Sequence, residues 1–238
     1  MKIVQTFWSG KVDNIMNYNY GWYSPIHHIQ SWALSSNLLR RLYDNVELYT
    51  DLKGYDLLIT QLELPYTKAH VIMDSLEYDD HLWALAKIYT YSLQNEPFIH
   101  VDGDVFLWEK FSKDLIESRL IVQNKEIGNE YFDKAWRDIK EKLDWIPKDI
   151  LDFQKKESSI NDYNFGVFGG QDLDFIKEYS QKAFKFVDSN LEQLHTLKGH
   201  NFNLFFEQYL FYCLTQNRKV STYFKKEFIA DQYIGFAN

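Results

Sequence analysis

Pro97-Phe98-Ile99-His100-Val101-Asp102-Gly103-Asp104 is an apolar run that ends on two carboxylates separated by a glycine. A short apolar run bounded by a proline and a turn sequence reads as a buried β-strand. Upstream of it, Lys2 to Trp8, Val46 to Thr50 and His70 to Met73 read as three more strands. Helical patterns separate them. Ser24 and Pro25 open one helix as N-cap and first helical residue, and Ile29, Trp32, Ala33, Ser36, Leu39 and Tyr43 recur along it at helical spacing. Tyr55 to Thr60 is a short helical or extended piece, and Asp79 or Asp80 caps a helix running to about Ser92. Alternating strands and helices predict an α/β fold whose sheet is covered by helices. Such sheets bind ligands outside the carboxyl ends of their strands, and Asp102 and Asp104 fall there.

The chain beyond the acidic pair is less regular. Arg119 to Gln123 reads as a strand, Asn129 to Gln154 as one charged helical stretch, and Lys155 to Ser159 as a loop. Asp162 to Phe168 reads as a strand broken by Gly169-Gly170, followed by helices from Asp172 to Asn190 and from Phe202 to Thr215. No repeat, low-complexity tract or linker interrupts the sequence, so a single domain over 1–238 is expected.

Bulk properties exclude several function classes. A length of 238 residues suffices for a sizeable core. The net charge of −8, with no offsetting basic run, argues against a nucleic-acid or anionic-membrane partner. The one cysteine, Cys213, rules out an internal disulfide and a cysteine metal cluster, and its apolar surroundings make it a buried hydrophobe. No segment reads as a transmembrane span or a signal peptide, so a cytoplasmic location is expected. The aromatic share of 18% is high, and such rings serve core packing or stack on sugar faces.

Asp102 and Asp104 at this spacing can both turn toward a hard divalent cation, and Gly103 lets a phosphate approach the backbone. Mg²⁺ and Mn²⁺ take oxygen donors of this kind together with substrate phosphates, and such an ion stabilises a departing diphosphate. The tripeptide is also a good turn sequence. An EF-hand is excluded, because Phe106 stands where the third ligand belongs. Haloacid-dehalogenase phosphatases carry a strand-terminal Asp-x-Asp as well, but on an early strand, whereas this one ends the fourth.

Three segments resemble the GT-A glycosyltransferases. Trp83 to Tyr89 leading into the strand at Pro97 to Val105 looks like the family's helix before its Asp-x-Asp strand. Tyr163-Asn164-Phe165-Gly166 is similar to an Asn-x-Gly segment that borders the donor-sugar and acceptor pocket. Phe206-Glu207-Gln208-Tyr209-Leu210 looks like the Asp-Gln-Asp element of retaining members related to glycogenin and bacterial galactosyltransferases. The resemblance implies a GT-A (Rossmann-like) mixed sheet flanked by helices, with a nucleotide-sugar-binding half over 1–107 and an acceptor-binding half over 108–238. It implies a metal-dependent transferase moving a sugar from a nucleotide-sugar donor to a hydroxyl of a glycan or glycoconjugate.

Carried over by position, Asp102 and Asp104 hold Mn²⁺ or Mg²⁺, with Asp102 also near the donor. Lys87 lies near the donor diphosphate or is a surface lysine. Thr6, Phe7 and Trp8 end the first strand where the nucleotide sits; Phe7 or Trp8 stacks on the base or packs in the core. Asn164 and Gly166 border the acceptor, and Glu207 and Gln208 sit near the anomeric carbon as the catalytic pair. Two departures stand out. Glu207 and Tyr209 replace aspartates of the retaining members, which leaves the stereochemistry open. The family's third metal ligand, a His in a His-x-x-Gly-x-x-Lys setting, is missing from the closing Asp231 to Asn238. Either the chain stops short of that element or another group, with His195 and His200 as candidates, completes the coordination. His27-His28 caps the first helix or faces the nucleotide site. A non-catalytic nucleotide-sugar or carbohydrate binder of the same fold is the alternative.

Overall fold

The computed structural model describes the chain apart from residues 128–129, 158, 198–200, 226–227 and 230–238. Among the described residues eight strands form one mixed sheet. They are β1 (Lys2–Phe7), β2 (Val46–Thr50), β3 (Lys68–Val71), β4 (Phe98–Val101), β5 (Ile121–Ile127), β6 (Asp162–Gly170), β7 (Ser221–Thr222) and β8 (Phe228–Ile229). The strand order is β3-β2-β1-β4-β6-β5-β7, with β8 also paired to β5. β1, β2, β3 and β4 are mutually parallel, whereas β6 runs antiparallel to both β4 and β5. The α/β class and the helix-flanked mixed sheet are therefore as expected.

The helices are α1 (Pro25–Leu42), α2 (Leu52–Tyr55, continued by a π-helical stretch Asp56–Gln61), α3 (Ala84–Ser92), α4 (Lys113–Ile116), α5 (Glu130–Lys140), α6 (Lys148–Gln154), α7 (Leu173–Asp188) and α8 (Leu210–Leu214, preceded by π-helical Phe205–Tyr209). Side chains alternate across a strand, and β4 shows this cleanly. Phe98 joins the core beneath α3, α5, α7 and α8, while Ile99 and Val101 join the opposite core with Leu39 of α1. By the same alternation His100 and Asp102 point toward α3.

Three predicted boundaries are corrected. Gly169-Gly170 does not break β6: the strand runs through both, and they pair with Ile99 and Phe98 of β4. Their φ angles of +153° and +132° suit only glycine, and a Cβ would overlap the Phe98 carbonyl at Gly169 and the Arg119 carbonyl at Gly170. The single helix expected over 129–154 is two, α5 and α6, because Pro147 cannot sit inside a helix and Asn190 pins Trp145 between them through Trp145 N–H (3.1 Å) and C=O (2.8 Å). The third strand ends at Val71, and Met73 begins a 3₁₀ turn.

Candidate functional site

From β1 the chain steps to β2 and β3 on one side and then crosses to β4 on the other, so the gap between β1 and β4 is a topological switch point. A crevice at the carboxyl ends of strands is expected at such a point. A cleft of about 640 Å³ opens there, lined by Thr6, Phe7 and Trp8 after β1, by Trp83 and Lys87 of the α3 region, and by Asp102, Gly103 and Asp104 after β4. That volume matches an extended small-molecule ligand.

The acidic turn is closed by one bond of its own and held from three sides. Asp102 N–H donates to Gly166 C=O of β6 (2.9 Å) and Val105 N–H to Asp102 C=O (3.1 Å). Gln5 Nε2 of β1 donates to the carbonyls of Val101 (3.2 Å) and Asp102 (3.3 Å), and Ser35 Oγ of α1 donates to Val105 C=O (2.8 Å). Tyr66 in turn donates to Gln5 Oε1 at 2.7 Å. Gly103 is required here, because a Cβ would overlap the Trp32 ring. Trp32 is itself fixed by an Nε1–H bond to His28 Nε2 (2.9 Å) and an edge contact with Phe7.

On the α3 face a buried charge cluster backs the turn. Lys87 Nζ lies 3.1 Å from Asp102 Oδ2 and 2.9 Å from Glu207 Oε1. The Glu207 side chain is 0% exposed and that of Asp102 27%. Burial alone would push the Lys87 ammonium down, but Asp102 and Glu207 together hold its pKa above the ordinary lysine value. Burial raises the Asp102 carboxyl to about 7, against the pull of Lys87 and with help from Asp104 and Glu207. Glu207 is raised by burial and held back by Lys87. His100 is neutral, pushed well down first by burial and then by Lys87, with Nδ1 3.5 Å from Asp102 Oδ1 and Nε2 3.1 Å from Thr6 Oγ1. Asp104 is exposed at the cleft mouth.

The predicted residues divide into two groups. Thr6, Phe7, Trp8, Lys87, Asp102 and Asp104 share the cleft. Phe7 is also core, 3% exposed and stacked on His28, which lines the same cleft. Asn164, Gly166, Glu207 and Gln208 do not line it. Asn164 Oδ1 accepts Gly166 N–H (2.9 Å) and its Nδ2 donates to Glu126 Oε1 (3.2 Å). Gly166 is small because the Gln123 side chain, turned in at a β-bulge of β5, occupies the space of a Cβ. Glu207 reaches the site only through Lys87, and Gln208 is half-buried on the π-helical turn. His195 lines a separate pocket of about 220 Å³ with His81 and Asp79; His27 is exposed and bonds Ser24 Oγ (3.0 Å). His200 and Asp231 to Asn238 lie outside the described residues. Sequence reading missed Gln5, Trp32, Ser35 and His100; only His100, two residues before Asp102 on the same strand, carried a signal, the period-2 alternation.

The DUF6734 family, described as a family of unknown function, matches residues 1–238. The chain belongs to that family. Among curated proteins none matches it. Among solved structures, the crystal structure of mouse xyloside xylosyltransferase 1 in its apo form is similar to this DUF6734 chain over 93% of its length and 84% of the other, with 11% identity and a TM-score of 0.45. No helix among the described residues is long and apolar enough to cross a membrane.

Mg²⁺ and Mn²⁺ sites are completed by substrate phosphates and water around one or two carboxylates. Among the described residues no third His, Cys, Asp or Glu joins Asp102 and Asp104, and the donor set of this DUF6734 chain fits such a half-site. Asp104 faces the cleft, and Asp102 keeps Oδ1 beside a neutral imidazole while Lys87 holds Oδ2.

A second acidic pair lies across the β5–β6 ladder, where Asp162 stands opposite Glu126. Asp162 is fully buried, neither of its oxygens has a hydrogen-bond partner among the described residues, and burial, then Glu126, raises its pKa well above the ordinary value. A carboxyl whose folded pKa exceeds its unfolded one contributes full stability below the unfolded value and loses it as pH rises. Asp162→Asn is therefore expected to melt about 3 °C above wild type at pH 8 and level with it at pH 4. A gap that does not change between these pH values would show that Asp162 is not the titrating group.

Proposed function

We propose that this protein is a metal-dependent glycosyltransferase that moves a sugar from a nucleotide-sugar donor to a hydroxyl acceptor of a glycan or glycoconjugate. The observation that carries this reading is the Asp102-Gly103-Asp104 turn, which stands at the sheet's switch point in an open cleft shared with Lys87 and a wall of aromatic rings. The sequence resemblance to GT-A enzymes includes the same tripeptide. Asp102 and Asp104 are the residues that would hold Mn²⁺ or Mg²⁺, which when bound supplies Lewis-acid stabilisation of the departing diphosphate. Lys87 adds a positive charge beside that leaving group, and Asp102 and Glu207 keep it protonated against the effect of burial. Phe7, Trp8, Tyr20 and Trp22 give the base and ribose flat apolar surfaces, and they narrow the cleft against water.

A panel of UDP-, GDP- and CDP-sugars, each with and without Mn²⁺, tests this by thermal shift. At about a hundredfold excess over Kd a ligand stabilises by about 2.7 kcal/mol, or about 5–10 °C in a chain of this size. Asp104→Ala is expected to remove the metal-dependent part of the response. A panel in which no donor raises Tm in a metal-dependent way would overturn the assignment. The placement of Glu207 behind Lys87 rather than on the cleft wall favours one other reading, a binder of nucleotide-sugars without turnover. Donor binding with neither hydrolysis nor transfer would establish it.

A further inference from the structure

We infer that Glu207 is a positioning residue that permanently anchors Lys87, and that Lys87 is a tethered cation occupying Asp102 until a divalent ion takes its place. This deepens the reading above and rests on it for the diphosphate, though not for the metal. The two carboxylates on Lys87 are unequal. Glu207 is fully enclosed, with its side chain 0% exposed, so it cannot be left without a cation except at the cost of an uncompensated buried charge. Asp102 is 27% exposed and opens to the cleft, where water, a metal ion or a phosphate can reach it. Lys87 therefore keeps Glu207 (2.9 Å) and exchanges Asp102 (3.1 Å).

The geometry around Lys87 restricts where the ammonium can go. It rises from α3, whose packing against α7 and the π-helical turn that carries Glu207 fixes its base. Its Nζ also lies 5.6 Å from the Trp83 ring centroid, and Trp83 lines the same cleft. Released from Asp102 and still held by Glu207, the ammonium faces the cleft, where it can take the oxygens of a diphosphate. Metal and lysine thus exclude one another on Asp102 Oδ2, and entry of a metal makes Lys87 available to phosphate. This also explains the glutamate at position 207, which lies outside the cleft but reaches Lys87 from behind.

The test uses the full chain and a charge-neutral exchange, Lys87→Met with Glu207→Leu, so that the net charge around the cleft is unchanged. Mn²⁺ alone is titrated by electron paramagnetic resonance. The double variant is expected to bind Mn²⁺ roughly fivefold or more tightly than wild type, a factor typical of two coupled binding events. Adding Asp102→Asn to both proteins should close that gap. With Mn²⁺ saturating in both proteins, pyrophosphate binding should fall by a similar factor in the double variant, whereas with EDTA present the two proteins should bind it alike. Equal Mn²⁺ affinity in wild type and double variant, no Mn²⁺ binding in either, or a gap that survives Asp102→Asn overturns the inference. If the Met/Leu pair does not fold, Lys87→Gln with Glu207→Gln carries the same comparison. A protein that passes the Mn²⁺ arm but binds no nucleotide-sugar keeps the exchange and loses the transferase assignment.

Discussion

Lys87→Ala is expected to lower Tm by about 10 °C at pH 8, from the loss of one buried partner at about 3–5 kcal/mol. The mechanism is specific. Removing the ammonium leaves Glu207 enclosed with its compensating charge gone, and Asp102 loses the cation that holds its carboxyl down. Both carboxylates then have folded pKa values further above their unfolded ones, so the deficit is smallest below the unfolded carboxylate range and widens as pH rises. Melting curves of wild type and Lys87→Ala at pH 5 and pH 8 measure this directly. Lys87→Ala with Glu207→Gln should recover most of the loss, because no buried charge then remains at position 207. A variant that melts within about 2 °C of wild type at pH 8 would mean that the cluster contributes little, because such a shift corresponds to less than about 1 kcal/mol. Retention of Lys87 as a functional group, rather than an apolar pair of equal volume, would then have no energetic counterpart in the fold.

Legibility followed the range of each interaction. β4 and the acidic pair were readable because a buried strand and its terminal turn are local in sequence, as were β2 and the starts of α1 and α7. The class of the sheet was readable from the same alternation. What could not be read are contacts between distant segments. Lys87 and Glu207 meet only because α3 and the π-helical turn before α8 lie on one face of the sheet. Gly169 and Gly170 looked like a strand break because glycine lowers strand propensity; their function is close approach to the Phe98 and Arg119 carbonyls, which no local pattern reports. Asn164 and Gly166 match the expected motif, yet their contacts are structural: Gly166 C=O anchors Asp102 and Asn164 anchors Gly166. A motif can thus fall beside the cleft while its residues brace the acidic turn rather than line the cleft.

Gly103→Ala is the substitution that most directly separates the fold from the site. The added methyl would overlap the Trp32 ring, and the ring has little room to yield. Its Nε1–H is bonded to His28 at 2.9 Å, its edge meets Phe7 at a centroid distance of 5.4 Å, and the side chain is buried. Overpacking of this kind costs about 1–3 kcal/mol, so Gly103→Ala should still fold, with Tm lower by roughly 5 °C. The larger effect falls on the turn. Asp102 and Asp104 flank the methyl, and a displacement near 1 Å in a positioned group costs about a hundredfold in rate. On the proposed transferase reading, sugar transfer should fall by at least that factor, and the Mn²⁺-dependent thermal shift proposed for this chain should shrink with it. Trp32→Leu in the same chain creates the space the methyl needs, so the double variant should regain metal response while remaining less stable than wild type. Recovery of the Mn²⁺ response in Gly103→Ala/Trp32→Leu assigns the defect to the clash; a double variant as inert as Gly103→Ala would instead locate the requirement for glycine in a ligand's approach to the backbone between the two carboxylates.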